Sequence, residues 1–84
     1  NQPERKKLVE TGRMRANARA KMVLLTKRER EVLQCMSEGM SNKVIGLKLG
    51  ISPRTVEIHR ANMITKLETE STNEALRLAA YAEI

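Results

Sequence analysis

The sequence predicts an all-α fold: one small domain of four helices, preceded by a basic, partly helical segment. The chain has 84 residues, which suffices for a single domain. It contains no alternating runs of Val, Ile and Thr that would indicate strands. Helix-start signals occur at Thr26, Ser52 and Ser71, and glycines at positions 39 and 50 are placed to end helices.

Residues 1–24 are predicted to be a linker between domains. Residues 1–25 hold seven basic and two acidic side chains, whereas residues 26–84 hold nine basic and eight acidic ones. Good helix formers are frequent from Lys7 to Met22, but Gly12 interrupts them and no clear apolar stripe is present. A solvated linker with partial helix is therefore favoured over a continuous helix that connects the compact domain, residues 25–84, to a preceding one.

Two helices of the compact domain are predicted from capping boxes. In Thr26-Lys-Arg-Glu29 the threonine hydroxyl and the glutamate carboxylate can each accept from the other residue's backbone N–H. Apolar residues then follow at helical spacing up to Gly39, which predicts a helix over 27–38. Ser71-Thr-Asn-Glu74 has the same pattern and predicts a helix over 72–82.

Residues 41–61 are predicted to form a helix-turn-helix. Ser41 caps a short helix that Gly50 ends after about two turns. Ser52 and Pro53 then start a helix over 53–68. Gly46 lies inside the short helix, where a missing side chain would let another helix approach closely. In this motif the first helix braces the second, which enters a groove of DNA.

The outer face of the helix over 53–68 is the candidate surface for reading DNA bases. On a wheel of about 100° per residue, Val56, Met63 and Leu67 lie on the core side. The opposite side lacks the Glu/Lys lattice of a solvated helix and holds an isoleucine, an alanine and groups that can bond base edges. The candidates for base contact are Arg54, Glu57, Ile58, Ala61 and Asn62. The alternative is an ordinary exposed face with one stray isoleucine, which the short preceding helix and tight turn disfavour.

Phosphate contacts are expected where helices begin, because free N–H groups and the helix dipole attract anions there. Asn42, Lys43 and Thr55 occupy such positions, and Lys66 near the end of the long helix is a further candidate. Each lysine has a solvated side chain as its alternative. Arg60 lies on the inner arc and is predicted to pair with Glu29 or Glu31.

Several classes of protein are disfavoured by what the sequence lacks. It shows no nucleophile–base pair, no carboxylate pair in an apolar setting and no phosphate-cradling glycine loop, so an enzyme is not expected. Its single cysteine, Cys35, is expected to be buried and inert. One cysteine and one histidine cannot form a zinc site, and no cofactor is expected. No apolar run approaches the length of a membrane span, and a cytoplasmic location is expected.

Four blocks in order resemble the LuxR-type DNA-binding domain, and most closely the output domain of NarL/FixJ-type response regulators, in particular the FixJ-like branch. The resemblance covers residues 25–84. The blocks are Leu25-Thr-Lys-Arg-Glu-Arg-Glu-Val-Leu33, Gly39-Met-Ser-Asn-Lys-Val-Ile45, Leu49-Gly-Ile-Ser-Pro-Arg-Thr-Val-Glu-Ile-His-Arg60 and Lys66-Leu67.

The resemblance implies a four-helix domain whose third helix lies in the major groove of double-stranded DNA. By position, Glu57, Ile58 and Ala61 match the family's base contacts. The residues that match phosphate contacts are Lys43, Thr55 and Lys66. The family dimerises through its last helix, whose outward arc here holds Asn73, Leu76, Arg77 and Ala80. Two residues depart from the family: Gly46 replaces a common alanine, and Ala61 replaces a lysine of some relatives, so the bases read cannot be copied from them.

The resemblance also implies partners. Full-length members carry a phosphorylatable receiver domain, which this sequence lacks, and residues 1–24 fit the linker to it. The expected role is that of a bacterial, cytoplasmic transcription regulator, associated with the nucleoid when bound, with RNA polymerase as a further partner. The alternatives are the output domain of a ligand-controlled quorum-type LuxR regulator and, in a different class, a helical protein-interaction module that docks on RNA polymerase.

Overall fold

The structure is a computed structural model that describes the backbone of residues 2–83 and the side chains of residues 12–82. The described backbone forms five helices and no strand, which confirms the all-α prediction. The helices are α1 (Gln2–Met22), α2 (Lys27–Ser37), α3 (Asn42–Leu49), α4 (Pro53–Lys66) and α5 (Thr72–Glu83). Among them, none is both long and apolar enough to span a membrane.

Helix α1 differs from the favoured prediction because it continues through Gly12 without a break. An isolated helix of this length is only marginally stable in water, but α1 packs along α5. Ala18 is fully buried, Met22 packs against the core, and Arg19 Nε donates to the carbonyl oxygen of Ala82 at 3.0 Å. The contact uses a small residue rather than a wide apolar stripe, which is why the sequence pattern did not favour a continuous helix.

Helix α2 begins and ends as predicted. The N–H of Glu29 donates to Thr26 Oγ1 at 3.1 Å, and the N–H of Thr26 donates to Glu29 Oε1 at 2.9 Å, which completes the capping box. Gly39 follows the helix with a φ of 83°, a left-handed conformation that glycine adopts without steric cost. Cys35 is buried in this helix, as expected.

The core joins α2, α3, α4 and α5. Its fully buried large side chains are Val32, Ile45, Val56, Met63 and Leu67. Burial of each such side chain contributes about 1.5–3 kcal/mol relative to its exposed state. Leu67 and Met63 fix the inner side of α4 against α2, and the opposite side of α4 is thereby turned to solvent.

The turn between α3 and α4 passes unusually close to α3. A Cβ atom on Gly46 would lie 2.6 Å from the carbonyl oxygen of Ile51, so the turn occupies the space that a side chain would need. The N–H of Ile51 donates to the carbonyl of Gly46 at 3.0 Å, and Gly50 makes the reversal with a φ of 71°. The close approach predicted at Gly46 is observed, but the approaching segment is the turn and not another helix.

The ends of α4 and α5 depart slightly from the prediction. Helix α4 stops at Lys66 because Glu68 takes a left-handed φ of 55°. At the start of α5 the N–H of Glu74 donates to Ser71 Oγ at 3.2 Å, as a capping box requires. The Glu74 carboxylate, however, accepts from the N–H of Glu70 at 2.6 Å, so this second box is only half formed.

The predicted pairing of Arg60 with Glu29 or Glu31 is wrong. The Arg60 guanidinium donates instead to Asn42 Oδ1 and, at 3.0 Å, to Thr72 Oγ1. Helix α4 points this side chain at the first residues of α3 and α5 rather than at α2. The two glutamates have other partners: Glu29 lies 2.7 Å from Lys66 Nζ, and Glu31 lies 3.6 Å from an Arg28 nitrogen.

Candidate nucleic-acid interface

The outer face of α4 is open to solvent along its length. All five residues proposed for base contact from the sequence are exposed, and Ile58 retains 51% of its accessible surface. They are Arg54, Glu57, Ile58, Ala61 and Asn62. An isoleucine exposed to this degree on a helix that buries its opposite side is available to an external apolar group, such as a thymine methyl.

The first turn of α4 lies next to this outer face and includes Arg54. Ser52 caps the helix by accepting from the N–H of Thr55 at 3.1 Å, and Pro53 occupies the first helical position. The hydroxyls of Ser52 and Thr55 are also hydrogen-bonded at 2.9 Å. Thr55 is half-buried and Arg54 is exposed, so the turn offers the Arg54 cation to an approaching anion at the end of α4 where the helix dipole favours negative charge.

Helix α3 begins with the two other phosphate candidates. Ser41 caps it by accepting from the N–H of Val44 at 3.3 Å. Lys43 is exposed, whereas Asn42 is half-buried and accepts from Arg60 through Oδ1. The sequence did not predict that Arg60 would bind Asn42. Its only indication was that Arg60 is a polar residue on the inner arc of α4.

Lys66 occupies a different setting from the other phosphate candidates. Its ammonium lies 2.7 Å from Oε1 of Glu29, a carboxylate that is only 3% exposed. Burial alone would raise the pKa of Glu29, but the hydrogen bonds from Lys66 and from the backbone of Thr26, with the charge of Lys66, lower the pKa below its ordinary value. A phosphate at Lys66 would compete with this carboxylate, so its contact with DNA stays a prediction.

The predicted dimerisation arc of α5 is accessible. Asn73, Arg77 and Ala80 are exposed, and Leu76 is half-buried. Leu76 and Ala80 line a shallow surface pocket with residues of α2, namely Leu33, Gln34 and Ser37. Helix α1 leaves this arc uncovered, because Ala82, which Arg19 contacts, lies on the other side of α5.

The part of the chain described here contains no group of three or more His, Cys, Asp and Glu side chains that could hold a metal ion. The candidate interface consists of the polar and partly apolar outer face of α4, flanked by the starts of α3 and α4.

Comparison with protein families identifies a family that this chain matches. The GerE model, described as bacterial regulatory proteins of the luxR family, matches residues 23–79, well over half of the chain.

Curated relatives and solved structures agree with that match. The transcriptional regulatory protein FixJ of Azorhizobium caulinodans is 50% identical over 60 residues, which cover 71% of this chain and 28% of that protein. The transcriptional regulatory protein UhpA of Escherichia coli K12 is 47% identical over 53 residues, covering 63% of this chain and 27% of that protein. The crystal structure of full-length FixJ from B. japonicum superposes with a TM-score of 0.81 at 37% identity, over 90% of this chain and 37% of that one.

These relatives are transcriptional regulators and not enzymes, in agreement with the expectation that the chain has no catalytic site. The chain spans less than a third of the length of either curated relative.

Proposed function

Because the chain belongs to the luxR family of bacterial regulatory proteins, we propose that it binds double-stranded DNA in a sequence-specific manner with α4 in the major groove. The observation that carries this proposal is the outer face of α4. Among the residues that the structure describes, that face is exposed, and it combines an isoleucine and a small alanine with polar groups that can bond base edges.

We infer that residues at the starts of α3 and α4 contribute affinity through phosphates, and that the outer face of α4 contributes specificity through bases. Lys43 at the start of α3 and Arg54 and Thr55 at the start of α4 flank the same face. Contacts from such positions to phosphates fix the register of the protein on the duplex, while the side chains between them read the bases. Lys66 belongs to this set only if phosphate displaces Glu29 from it.

We further propose that this chain is the output domain of a two-component response regulator, joined through the α1 segment to a receiver domain. The similarity to FixJ and UhpA, both named as transcriptional regulatory proteins, supports this role. On DNA it would pair with a second copy through Asn73, Leu76, Arg77 and Ala80 of α5 and occupy two half-sites. RNA polymerase is the further partner of such a regulator.

Selection of bound sites from random duplexes at physiological salt tests the proposal. We expect an enriched motif made of two half-sites about one helical turn, 10 to 10.5 base pairs, apart. The matched control is the double variant Ile58→Asp, Ala61→Asp, which changes only exposed positions and should fold but enrich no motif. Failure of the unaltered chain to enrich any sequence, or the same enrichment by the control, would reject base reading by α4. A helical adaptor for RNA polymerase would give the first of these results, because it would not select among duplexes.

A further inference from the structure

Arg60 links three helices at the edge of the candidate interface. Its guanidinium donates to Asn42 Oδ1, on the first residue of α3, and to Thr72 Oγ1, on the first residue of α5, at 3.0 Å. Arg60 is itself half-buried in α4. The two hydrogen bonds use different nitrogens of the planar guanidinium, a geometry that a lysine ammonium cannot reproduce.

The chemistry of the donor decides how the Asn42 amide is turned. A guanidinium has five N–H donors and no acceptor, so only the carbonyl oxygen of the carboxamide can face it. The NH2 group then occupies the other arm of the planar amide, which Arg60 does not hold. Asn42 lies beside Lys43 in the first turn of α3, where backbone N–H groups and the helix dipole favour an anion.

We propose that Arg60 is a positioning residue for DNA binding: it holds the carbonyl of Asn42 so that the amide NH2 group is offered to the phosphate backbone. This inference rests on the proposed function and deepens it. Without Arg60 the carboxamide is free to rotate by half a turn, and its oxygen would then meet the phosphate oxygens, acceptor against acceptor.

Thr72 at the start of α5 also holds the Arg60 guanidinium in place, by accepting a hydrogen bond. Because one guanidinium nitrogen donates to the Thr72 hydroxyl and the other to Asn42, the guanidinium has a single orientation. The Arg60 side chain is therefore ordered before DNA binds, and binding does not have to order it. The position of α5 is thereby linked to the orientation of an amide at the start of α3.

Binding to a duplex of random sequence is the appropriate test, because a phosphate contact does not depend on sequence. Asn42→Ala and Arg60→Met are each expected to weaken binding about five-fold, the size of one lost hydrogen bond. Arg30→Met, at an exposed position of α2, controls for the loss of one positive charge. Circular dichroism of each variant confirms that the helices persist.

The double variant Asn42→Ala, Arg60→Met gives the decisive comparison. We expect it to bind no more weakly than Asn42→Ala alone, apart from the loss seen in Arg30→Met. Additive losses, or a loss for Arg60→Met no larger than the charge control, would overturn the proposal. If Arg60→Met does not fold, Thr72→Val keeps the charge and removes one acceptor; the same test then requires weaker binding that disappears in the Asn42→Ala background.

The outcome also separates this inference from the proposed function. Normal binding by Asn42→Ala, with base reading by α4 intact, would remove the role of Arg60 and leave the proposed function in place. Absence of DNA binding by the unaltered chain would remove both.

Discussion

At the scale of single residues, Ile58 is the most informative position of α4, since it is half exposed where a solvated helix would carry a polar residue. We expect Ile58→Ala to weaken binding to a selected target by about 1 kcal/mol or more per half-site, because an apolar contact with a base is lost. Binding to random duplexes should barely change. Affinities for both duplexes at one salt concentration measure the difference.

Leu24→Ala is the matched control for Ile58→Ala, since it removes an aliphatic side chain of similar exposure, 56%, outside α4. It should leave both affinities unchanged. Equal losses on target and random DNA for the Ile58 variant would exclude base reading by this residue.

Lys43 is predicted to contribute equally to the binding of every DNA sequence, because it contacts phosphate and not bases. Lys43→Ala should weaken target and random duplexes by the same factor and reduce the slope of log affinity against log salt by about 0.9, the value for one phosphate contact. Lys48→Ala serves as the control, because Lys48 lies at the other end of α3 and faces Glu38 at 3.9 Å. An unaltered slope in the Lys43 variant would remove this residue from the interface.

Residue-scale predictions from the sequence succeeded where periodicity alone decides. Exposure of Arg54, Ile58 and Ala61 follows from helical geometry once Val56, Met63 and Leu67 are assigned to the core. The partner of Arg60 did not follow, because a long side chain chooses among acceptors on other helices, and their arrangement is a property of the folded chain.

At the scale of helices and turns, Gly46 and Gly12 form a natural pair for comparison. Both are helical, but a Cβ at Gly12 would meet nothing within 4 Å, whereas one at Gly46 would lie 2.6 Å from a backbone oxygen. Gly12→Ala should therefore raise the free energy of unfolding by about 0.5–1 kcal/mol. Gly46→Ala should lower it, because displacing the turn costs more than the gain in helix propensity.

Thermal and denaturant unfolding of the two glycine variants measure these effects. A rise for Gly46→Ala equal to that for Gly12→Ala would show that the turn yields without cost.

Docking of α1 on α5 is tested by a change at its buried residue. Ala18→Glu places a carboxylate where the side chain is fully buried, so α1 should separate from α5 and lose much of its helical signal. Ala20→Glu makes the same change at an exposed position of the same helix and should have little effect. Helical content by circular dichroism provides the measurement, and equal spectra for the two variants would contradict the docking.

Helix boundaries were predictable from the sequence wherever a local cap sets them. Thr26, Ser52 and Gly50 act through their own backbone neighbours, so the information lies within a few residues. The length of α1 was not predictable in this way, since its stability depends on α5, more than sixty positions away along the chain at the Arg19–Ala82 bond.

At the scale of the whole molecule, the Glu29–Lys66 pair makes stability depend on pH. The folded-state pKa of Glu29 lies below its ordinary value of about 4.5. The unfolded chain therefore takes up this proton first as pH falls, and the stability that the pair confers is present above 4.5 and lost as pH falls through the lower folded-state pKa.

Lys66→Met should remove this dependence. At neutral pH it should lower the free energy of unfolding by about 1–3 kcal/mol, less than for a fully buried pair because the lysine is 36% exposed. In addition, the loss of stability as pH falls below 4.5 should shrink, because without Lys66 the folded-state pKa of Glu29 rises toward its unfolded value. Unfolding curves across pH measure both, with Lys48→Met as an exposed control; identical pH profiles for the two variants would contradict this role of Lys66.

Two sides of α5 have different surroundings: helix α1 lies along one, and the arc that includes Asn73 and Ala80 is exposed on the other. Two copies that met through the open arc would not have to release their linkers first. If a receiver is attached through α1, as proposed above, it would then act by changing the directions in which the two α1 helices leave the dimer, and not by uncovering a hidden contact.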